Sequence, residues 1–251
     1  MRFVNEDKEL LRYAGDFRLE LCNIISYRTD PDNATESLRI NILPQLMNLS
    51  IVEDISMECV TGEIDLADAQ DIRTVLPLTG LERVEFKLFT PGTSRAFDFT
   101  PETGHPMYVY KISDRIGLNP RAQGYILHFC SREMITNEQV RIQRPFTNSI
   151  DGMVLNIVRD ELKSKKPLIV EETSGIRKYT TPRIRPFEFI DELAKESESL
   201  KYNNAGMRFF ESSIGFSFKS YESMLAVSGV SARPVVAKFL SVPANVRDEQ
   251  G

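Results

Sequence analysis

Two stretches decide the fold of the second half of the chain: RIRPFEFIDELAKES at residues 183–197 and MRFFESSIGFSFKSYESML at residues 207–225. In the first, apolar residues recur at helical spacing from Phe187 to Ala194, behind a proline that suits the first turn of a helix. In the second, aromatic residues alternate with polar ones around Gly215. These patterns predict a helix that begins at about that proline and a β-hairpin that follows it.

An earlier stretch, SIDGMVLNIVRDELKS at residues 149–164, has the period of an amphipathic helix. Either Ser149 or Asp151 is placed to cap its N-terminus. The element order is therefore helix, short strand, helix and hairpin, which predicts a compact α/β module over residues 146–226. Residues 227–251 are weakly patterned and predict an extended C-terminal arm.

The first half of the chain, residues 1–145, is patterned as strands. Apolar and polar residues alternate with a period of two, as they do in half-buried antiparallel strands. The predicted strands are Phe17–Cys22, Ile55–Cys59, Val84–Leu88, Met107–Ile112 and Tyr125–Cys130, with a hairpin loop at Gly117–Gly124 and a helical stretch near Asp65–Val75. Such strands favour a small closed or nearly closed antiparallel β-barrel. The chain is thus predicted to be α+β and mainly β, a barrel with an appended small α/β module.

Acidic charge is concentrated in the first half of the chain. Residues 1–150 carry 16 Lys and Arg against 22 Asp and Glu, whereas residues 151–251 carry 15 against 14. The densest stretch, residues 53–71, has seven acidic residues and no Lys or Arg. Such a surface repels the phosphates of nucleic acids, so specific DNA binding by this half is not expected. A solvated acidic surface is the simplest interpretation.

The sequence offers little material for catalysis or metal binding. It has two histidines and three cysteines, without the spacing of a zinc site. It contains no phosphate-binding glycine loop, and His128 lies within an apolar strand, where packing is the expected role. No apolar stretch is long enough to span a membrane. We therefore predict a protein that is not an enzyme and has no catalytic residues, cofactor or metal site.

Several blocks of the sequence occur in a distinctive order. They are DLADAQDIRTVLPLTGLERVEFKLFTPG at 65–92, MYVYKISDR at 107–115, QGYILHFCS at 123–131, the helix at 149–164, and the helix and aromatic hairpin at 183–225. In order and spacing they resemble the baseplate hub proteins of contractile-tailed bacteriophages, the group typified by the T-even hub. The N-terminal region of type VI secretion spike proteins is related to that group. The resemblance covers roughly residues 10–226.

This resemblance implies a tail-tube-type barrel and a structural role in the virion. Hub proteins of this family form homotrimers on the tail axis, and they join the tail tube protein to the central spike protein among other baseplate proteins. They are assembled in the host cytoplasm, and DNA passes through their lumen only as cargo during genome ejection. A tail-tip peptidoglycan-degrading enzyme, or its carrier, is the alternative function.

The resemblance ends at the aromatic hairpin. The larger hubs have a second tube-type barrel, whereas about 25 residues follow the hairpin here. Either the sequence stops short of the natural C-terminus, or the second barrel belongs to another protein, or a trimer of single barrels adapts to the tube in some other way.

The resemblance also implies residues for two kinds of surface. The interface residues expected in the first half are Asp65, Asp68, Asp71, Leu78 and Gly80. Those expected in the module are Arg185, Phe187, Phe209, Phe216 and Phe218. For these aromatic rings, simple core packing is an open alternative. The acidic side chains expected to line the DNA channel are Glu53, Asp54, Glu58 and Glu63.

Overall fold

The computed structural model of the protein describes residues 17–29, 37–70, 72, 82–89, 96–100, 105, 107–119 and 122–226. The described residues form a large antiparallel sheet in the first half of the chain and a smaller α/β module in the second. Each part has its own hydrophobic core. The prediction of a mainly β protein with antiparallel sheets is confirmed.

The large sheet has eight strands. They are β1 (Arg18–Thr29), β2 (Ser37–Asn41), β3 (Leu46–Val52), β4 (Thr61–Asp68), β5 (Arg83–Phe89), β6 (Ala96–Asp98), β7 (Met107–Asn119) and β8 (Ala122–Ser131). Their order is β2-β1-β5-β7-β8-β4-β3, and β6 pairs with β5. Among the described strand pairs none joins β2 to β3, so a closed barrel is not shown.

Every second side chain along the strands points into the core of the sheet. Phe86 lies at its centre, with ring centroids 4.7 Å from Phe99 and 5.4 Å from Phe129. A Cβ atom at Gly62 would lie 2.3 Å from both the Phe129 ring and the backbone oxygen of Ser50. Glycine at this position therefore lets β3, β4 and β8 approach one another closely.

Several sequence predictions for this half are confirmed, and three need correction. The strands predicted around residues 17–22, 84–88, 107–112 and 125–130 are present. Residues 55–59, predicted as a strand, form a turn in which the backbone and carboxylate of Asp54 accept hydrogen bonds. Asp65 lies in β4 rather than in a helix, and β7 and β8 extend through most of the predicted loop at Gly117–Gly124. Alternating apolar residues alone do not separate a turn from a strand.

The module contains short helices and two small sheets. Its elements are α1 (Arg132–Gln139), β9 (Pro145–Asn148), α2 (Ile150–Asn156), a π-helical turn at Ile157–Glu161, β10 (Leu168–Val170), β11 (Arg177–Thr180), α3 (Pro186–Glu196), β12 (Met207–Ser212), β13 (Gly215–Ser220) and α4 (Tyr221–Leu225). β10, β13 and β12 form one sheet, and β11 pairs with β9 in the other.

The helix and hairpin predicted from the two opening stretches are confirmed. α3 begins at Pro186, and its buried face includes Phe187, Ile190 and Leu193. β12 and β13 form the hairpin, and Gly215 has a φ of +132°, a conformation that side chains disfavour. Glycine is also required sterically, because a Cβ there would lie 2.4 Å from the backbone oxygen of Pro167.

A buried ionic cluster joins the sheet to the module. The ammonium group of Lys166 lies 2.8 Å from a carboxylate oxygen of Glu133 and 2.5 Å from one of Glu211. The other oxygen of Glu211 accepts hydrogen bonds from the hydroxyl of Ser131, at the end of β8, and from the backbone N–H of Val60, at 3.0 Å. The three charged side chains are between 1% and 3% exposed. They are therefore shielded from water.

The charged state of the cluster follows from its contacts. Burial alone would lower the pKa of Lys166, but the carboxylates of Glu211 and Glu133 outweigh it, so the pKa of Lys166 is raised. Burial likewise opposes ionisation of Glu133, and Lys166 outweighs it, so the pKa of Glu133 is lowered. The contacts therefore favour the charged forms of Lys166 and Glu133, and removing the cation alone would leave Glu133 and Glu211 buried without a cationic partner.

We predict that Lys166→Met destabilises the protein by about 3–5 kcal/mol, because it leaves Glu133 and Glu211 buried without a cation. Urea unfolding measures the change. The matched control is Lys165→Met, an exposed lysine next to it, which should change stability by less than about 0.5 kcal/mol. Equal effects of the two variants would contradict the assigned role of the cluster. Replacing both carboxylates by glutamine beside Lys166→Met should recover part of the loss.

The carboxylate of Glu171 connects two segments near the C-terminal end of the module through hydrogen bonds. Glu171 accepts hydrogen bonds from the hydroxyl of Ser199 at 2.5 Å and from the backbone N–H and hydroxyl of Ser220 at 2.8 and 2.9 Å. Burial would raise the pKa of Glu171, but these hydrogen bonds outweigh it, so the pKa of Glu171 is lowered from its usual value of 4.5. The ionised form thus holds α4 and the segment after α3 together.

Because the folded-state pKa of Glu171 is depressed, its contribution to stability is present above about pH 4.5 and is lost as the pH falls through the folded value. We expect Glu171→Gln to lower the free energy of unfolding at pH 7. We also expect the variant to lose less stability than the wild type as the pH falls below about 4.5. Thermal unfolding between about pH 3 and pH 7 tests this. The neighbouring exposed residue provides the control, Glu172→Gln. The same loss of stability at low pH in Glu171→Gln and in the wild type would refute the prediction.

Candidate functional site

The acidic stretch of the sequence is divided among three places in the structure. Glu63 and Asp65 lie on β4 and point away from the sheet core, on either side of the buried Ile64. Glu53, Asp54 and Glu58 lie in the loop between β3 and β4, which we call the junction loop (residues 53–60). Asp68 is buried. The stretch is therefore not one continuous acidic surface.

Glu63 belongs to a hydrogen-bonded network on the outer face of the sheet. One of its carboxylate oxygens lies 3.1 Å from Nδ1 of His128, whose Nε2 lies 2.7 Å from the hydroxyl oxygen of Ser113. The side chain of His128 is 14% exposed, so this histidine packs within its strand as the sequence indicates, yet it faces outward rather than into the core. Its neighbours were not identified from the sequence, because β4 was not predicted as its partner strand.

A serine, a histidine and a carboxylate in series also occur in hydrolases, where the histidine removes the serine proton. Here the hydroxyl of Ser113 also donates to the carboxylate of Asp114, at 2.9 Å. One hydroxyl hydrogen cannot serve both acceptors at once. The network thus ties β4, β8 and the irregular part of β7 together, and Asp114 competes with His128 for the proton that catalysis would need.

The junction loop is attached to the module by one of its acidic residues. Glu53 accepts a hydrogen bond at 2.5 Å from the backbone N–H of Ser213, in the turn of the aromatic hairpin. Asp54 is exposed and accepts from the backbone N–H of Ser56 at 2.7 Å. Glu58 is half-buried and has no hydrogen bond or ion pair among the described residues. Whether Glu53, Asp54, Glu58 and Glu63 line a channel stays a prediction.

Asp68 has a role inside the chain. Its carboxylate accepts hydrogen bonds from the backbone N–H groups of Gln70 and Ile72, at 3.0 and 2.9 Å, and from the hydroxyl of Tyr125 at 3.0 Å. The residue is 5% exposed, so the carboxylate fixes the chain as it leaves β4. Three other predicted interface residues lie outside the described residues: Asp71, Leu78 and Gly80.

The aromatic interface candidates of the module lie in its core. Phe187 and Phe209 are each 6% exposed, Phe216 is 1% exposed and Phe218 is fully buried. The rings of Phe209 and Phe216 stack with centroids 5.2 Å apart, and Phe187 lies 5.9 Å from Phe209. Core packing is therefore the role that these contacts describe, and an interface role for the four rings stays a prediction.

Arg185, the remaining interface candidate, lies at the edge of a cavity between the sheet and the module. Its guanidinium group contacts both carboxylate oxygens of Glu138, at 3.0 and 3.1 Å, and one of Glu188 at 3.4 Å. The cavity has a volume of about 360 Å³ and lies between the junction loop, α1 and α3. We call it the seam groove and define it by Met57, Glu58, Met134, Glu138, Phe187 and Asp191.

The seam groove combines apolar surface with acidic charge. Methionines and a phenylalanine contribute the apolar atoms, and four carboxylates line the groove beside the single guanidinium group of Arg185. Within the described ranges, no group of three or more His, Cys, Asp or Glu side chains is arranged to hold a metal ion. Cys59, which also lines the groove, is buried, and burial raises the pKa of its thiol. The groove thus presents apolar surface and carboxylates, and its thiol is disfavoured in the ionised form.

The part of the chain that the structure describes contains no helix with the length and hydropathy needed to cross a bilayer. No family model matches the chain, and no curated protein matches it.

Among solved structures, the chain is similar to phage tail proteins and to a protein of type VI secretion. The 43 kDa tail protein of prophage MuSo2 from Shewanella oneidensis is 10% identical, with a TM-score of 0.46 over 80% of this chain and 54% of that one. A tail protein from Neisseria meningitidis is 7% identical, with a TM-score of 0.48 over 80% of this chain and 51% of that one.

The Escherichia coli c3393 protein, a component of the type VI secretion system, is 9% identical, with a TM-score of 0.42 over 81% of this chain and 48% of that one. The chain spans about half the length of these three proteins.

Proposed function

We propose that the chain is a non-enzymatic structural subunit of a contractile phage tail, the central baseplate hub that joins the tail tube to the spike. The sequence blocks that carry the resemblance fall on consecutive parts of one fold. They correspond to β4 and β5, β7, β8, α2, and α3 with the aromatic hairpin. The order of strands, module helix and hairpin is therefore compatible with the hub arrangement.

The observation that carries the proposal is the apolar surface at the ends of the sheet. β3 pairs with β4 on one side, and no described strand pairs with its other side. Met47 and Val52, on this edge strand, are 66% and 44% exposed. At the far end of β7, Ile116 and Leu118 are 62% and 48% exposed. An unprotected edge with apolar side chains is a liability in a monomer and an interface in an obligate oligomer.

A homotrimer would cover these edges by symmetric closure. Its remaining surfaces would contact the tail tube protein, the central spike protein and other baseplate proteins of the virion. The acidic side chains Glu53, Asp54, Glu58 and Glu63, expected from the sequence to line the channel, would then lie toward the lumen, and the outward-facing Asp65 would lie beside Glu63. There they would repel DNA phosphates and let the genome slide through during ejection.

We expect the full chain to form a trimer in solution and to assemble with purified tail tube and spike proteins, as measured by light scattering and electron microscopy. Met47→Lys, which places a charge on the edge strand, should reduce the trimer fraction, whereas Met47→Leu should not. A stable monomer that cleaves peptidoglycan would refute the hub proposal and support the alternative enzyme.

The channel role predicts an effect on genome ejection. Replacing Asp54, Glu63 and Asp65 together by lysine should slow DNA release from assembled particles, because the new cations would bind DNA phosphates. The delay should shrink as the salt concentration rises. Neutral replacements, Asp54→Asn with Glu63→Gln and Asp65→Asn, separate the effect of attraction from loss of the native contacts. Normal ejection by particles with the three lysines would exclude a luminal position for these residues.

A further inference from the structure

The acidic charge of the seam groove is only partly neutralised. Glu138 and Glu188 share the guanidinium group of Arg185, and Asp191 is paired with Lys195 at 2.5 Å. Glu58 is half-buried, lines the groove and forms no ion pair among the described residues, although Arg208 lines the small cleft beside it. A half-buried carboxylate without a partner is a favourable position for an incoming Lys or Arg. The groove is therefore complementary to a segment that is both apolar and basic.

The C-terminal part of the chain contains such a segment. Residues 232–240 read ARPVVAKFL, with Arg233 and Lys238 among small and large apolar residues. No acidic residue occurs between residues 227 and 247, although the chain as a whole has a net charge of −5. The charge of this segment is thus opposite to that of the groove, and its apolar residues suit Met57, Met134 and Phe187.

The end of the described chain lies near the groove. α4 begins at Tyr221, whose hydroxyl accepts a hydrogen bond at 2.8 Å from Nε of Arg208. Arg208 lines a small cleft together with Glu58 and Asp191, two residues that also line the seam groove. The six residues 226–231 separate α4 from the basic segment, and six residues span up to roughly 20 Å when extended. A segment tethered at this distance has a high effective concentration at the groove.

We propose that residues 232–240 bind in the seam groove of their own chain, with a cation of the segment paired to Glu58. Binding there adds contacts between the junction loop, α1 and α3, the three elements that line the groove. It also covers the rim residue Met57, which is 40% exposed in the described structure.

Site-specific photo-cross-linking in the full chain tests this proposal. The photoreactive amino acid p-benzoylphenylalanine replaces Met57, and mass spectrometry maps the cross-linked peptides. We expect links to residues 232–240 within a single chain. The same amino acid at Ile176, which is 73% exposed and lies outside the groove, is the control and should not link to this segment.

Charge reversal then tests the role of Glu58. Arg233→Glu combined with Lys238→Glu should lower the yield of the Met57 cross-link by at least roughly threefold, the effect of losing one or two exposed ion pairs. Adding Glu58→Lys to that variant should restore part of the yield, whereas Arg247→Glu, outside the segment, should leave it unchanged. Cross-links to other segments or between two chains would overturn the proposal. So would a cross-link yield that does not change on charge reversal.

Discussion

The ammonium group of Lys166 lies between the carboxylates of Glu133 and Glu211 in the interior, and the relation between the sheet and the module depends on these contacts. Glu133 belongs to α1, directly after β8, and Glu211 belongs to the aromatic hairpin. The second oxygen of Glu211 reaches Ser131 and the backbone of Val60. One cluster thus fixes the end of β8, the start of β4 and the hairpin of the module. The junction loop and the seam groove take their positions from that arrangement.

A buried cluster of this kind fixes the positions of its side chains more than it lowers the free energy of folding. Desolvation of a buried ion costs several kcal/mol, and here one lysine faces two glutamate side chains in the interior. The hydrogen bonds from Ser131 and Val60 to Glu211 offset part of that cost. Each of these contacts requires a particular distance and direction between its atoms, which contacts between apolar side chains do not.

The sequence predicted those elements whose signals are local. α3 and the aromatic hairpin were predictable because a proline, a helical period and a glycine between aromatic strands all lie within a few residues of one another. β4 was missed because its residues alternate with carboxylates, which suggested a solvated or helical stretch. The cluster of Lys166 could not be predicted, since its members are separated by tens of residues and Glu211 looks like any outward-facing polar residue of a strand. The seam groove could not be predicted from the sequence either, because it forms only where the junction loop meets α1 and α3.

The residues of the buried cluster lie far apart along the chain, so the ribosome adds them at different times. Ser131 and Val60 lie 80 and 151 residues before Glu211, the carboxylate to which both donate hydrogen bonds. The ribosome therefore delivers the last member of the cluster well after the whole sheet has emerged. Until Glu211 has been added, the acceptor for the hydrogen bonds from Ser131 and Val60 does not yet exist. We therefore expect this contact between the end of the sheet and the module to form only after the aromatic hairpin has been synthesised.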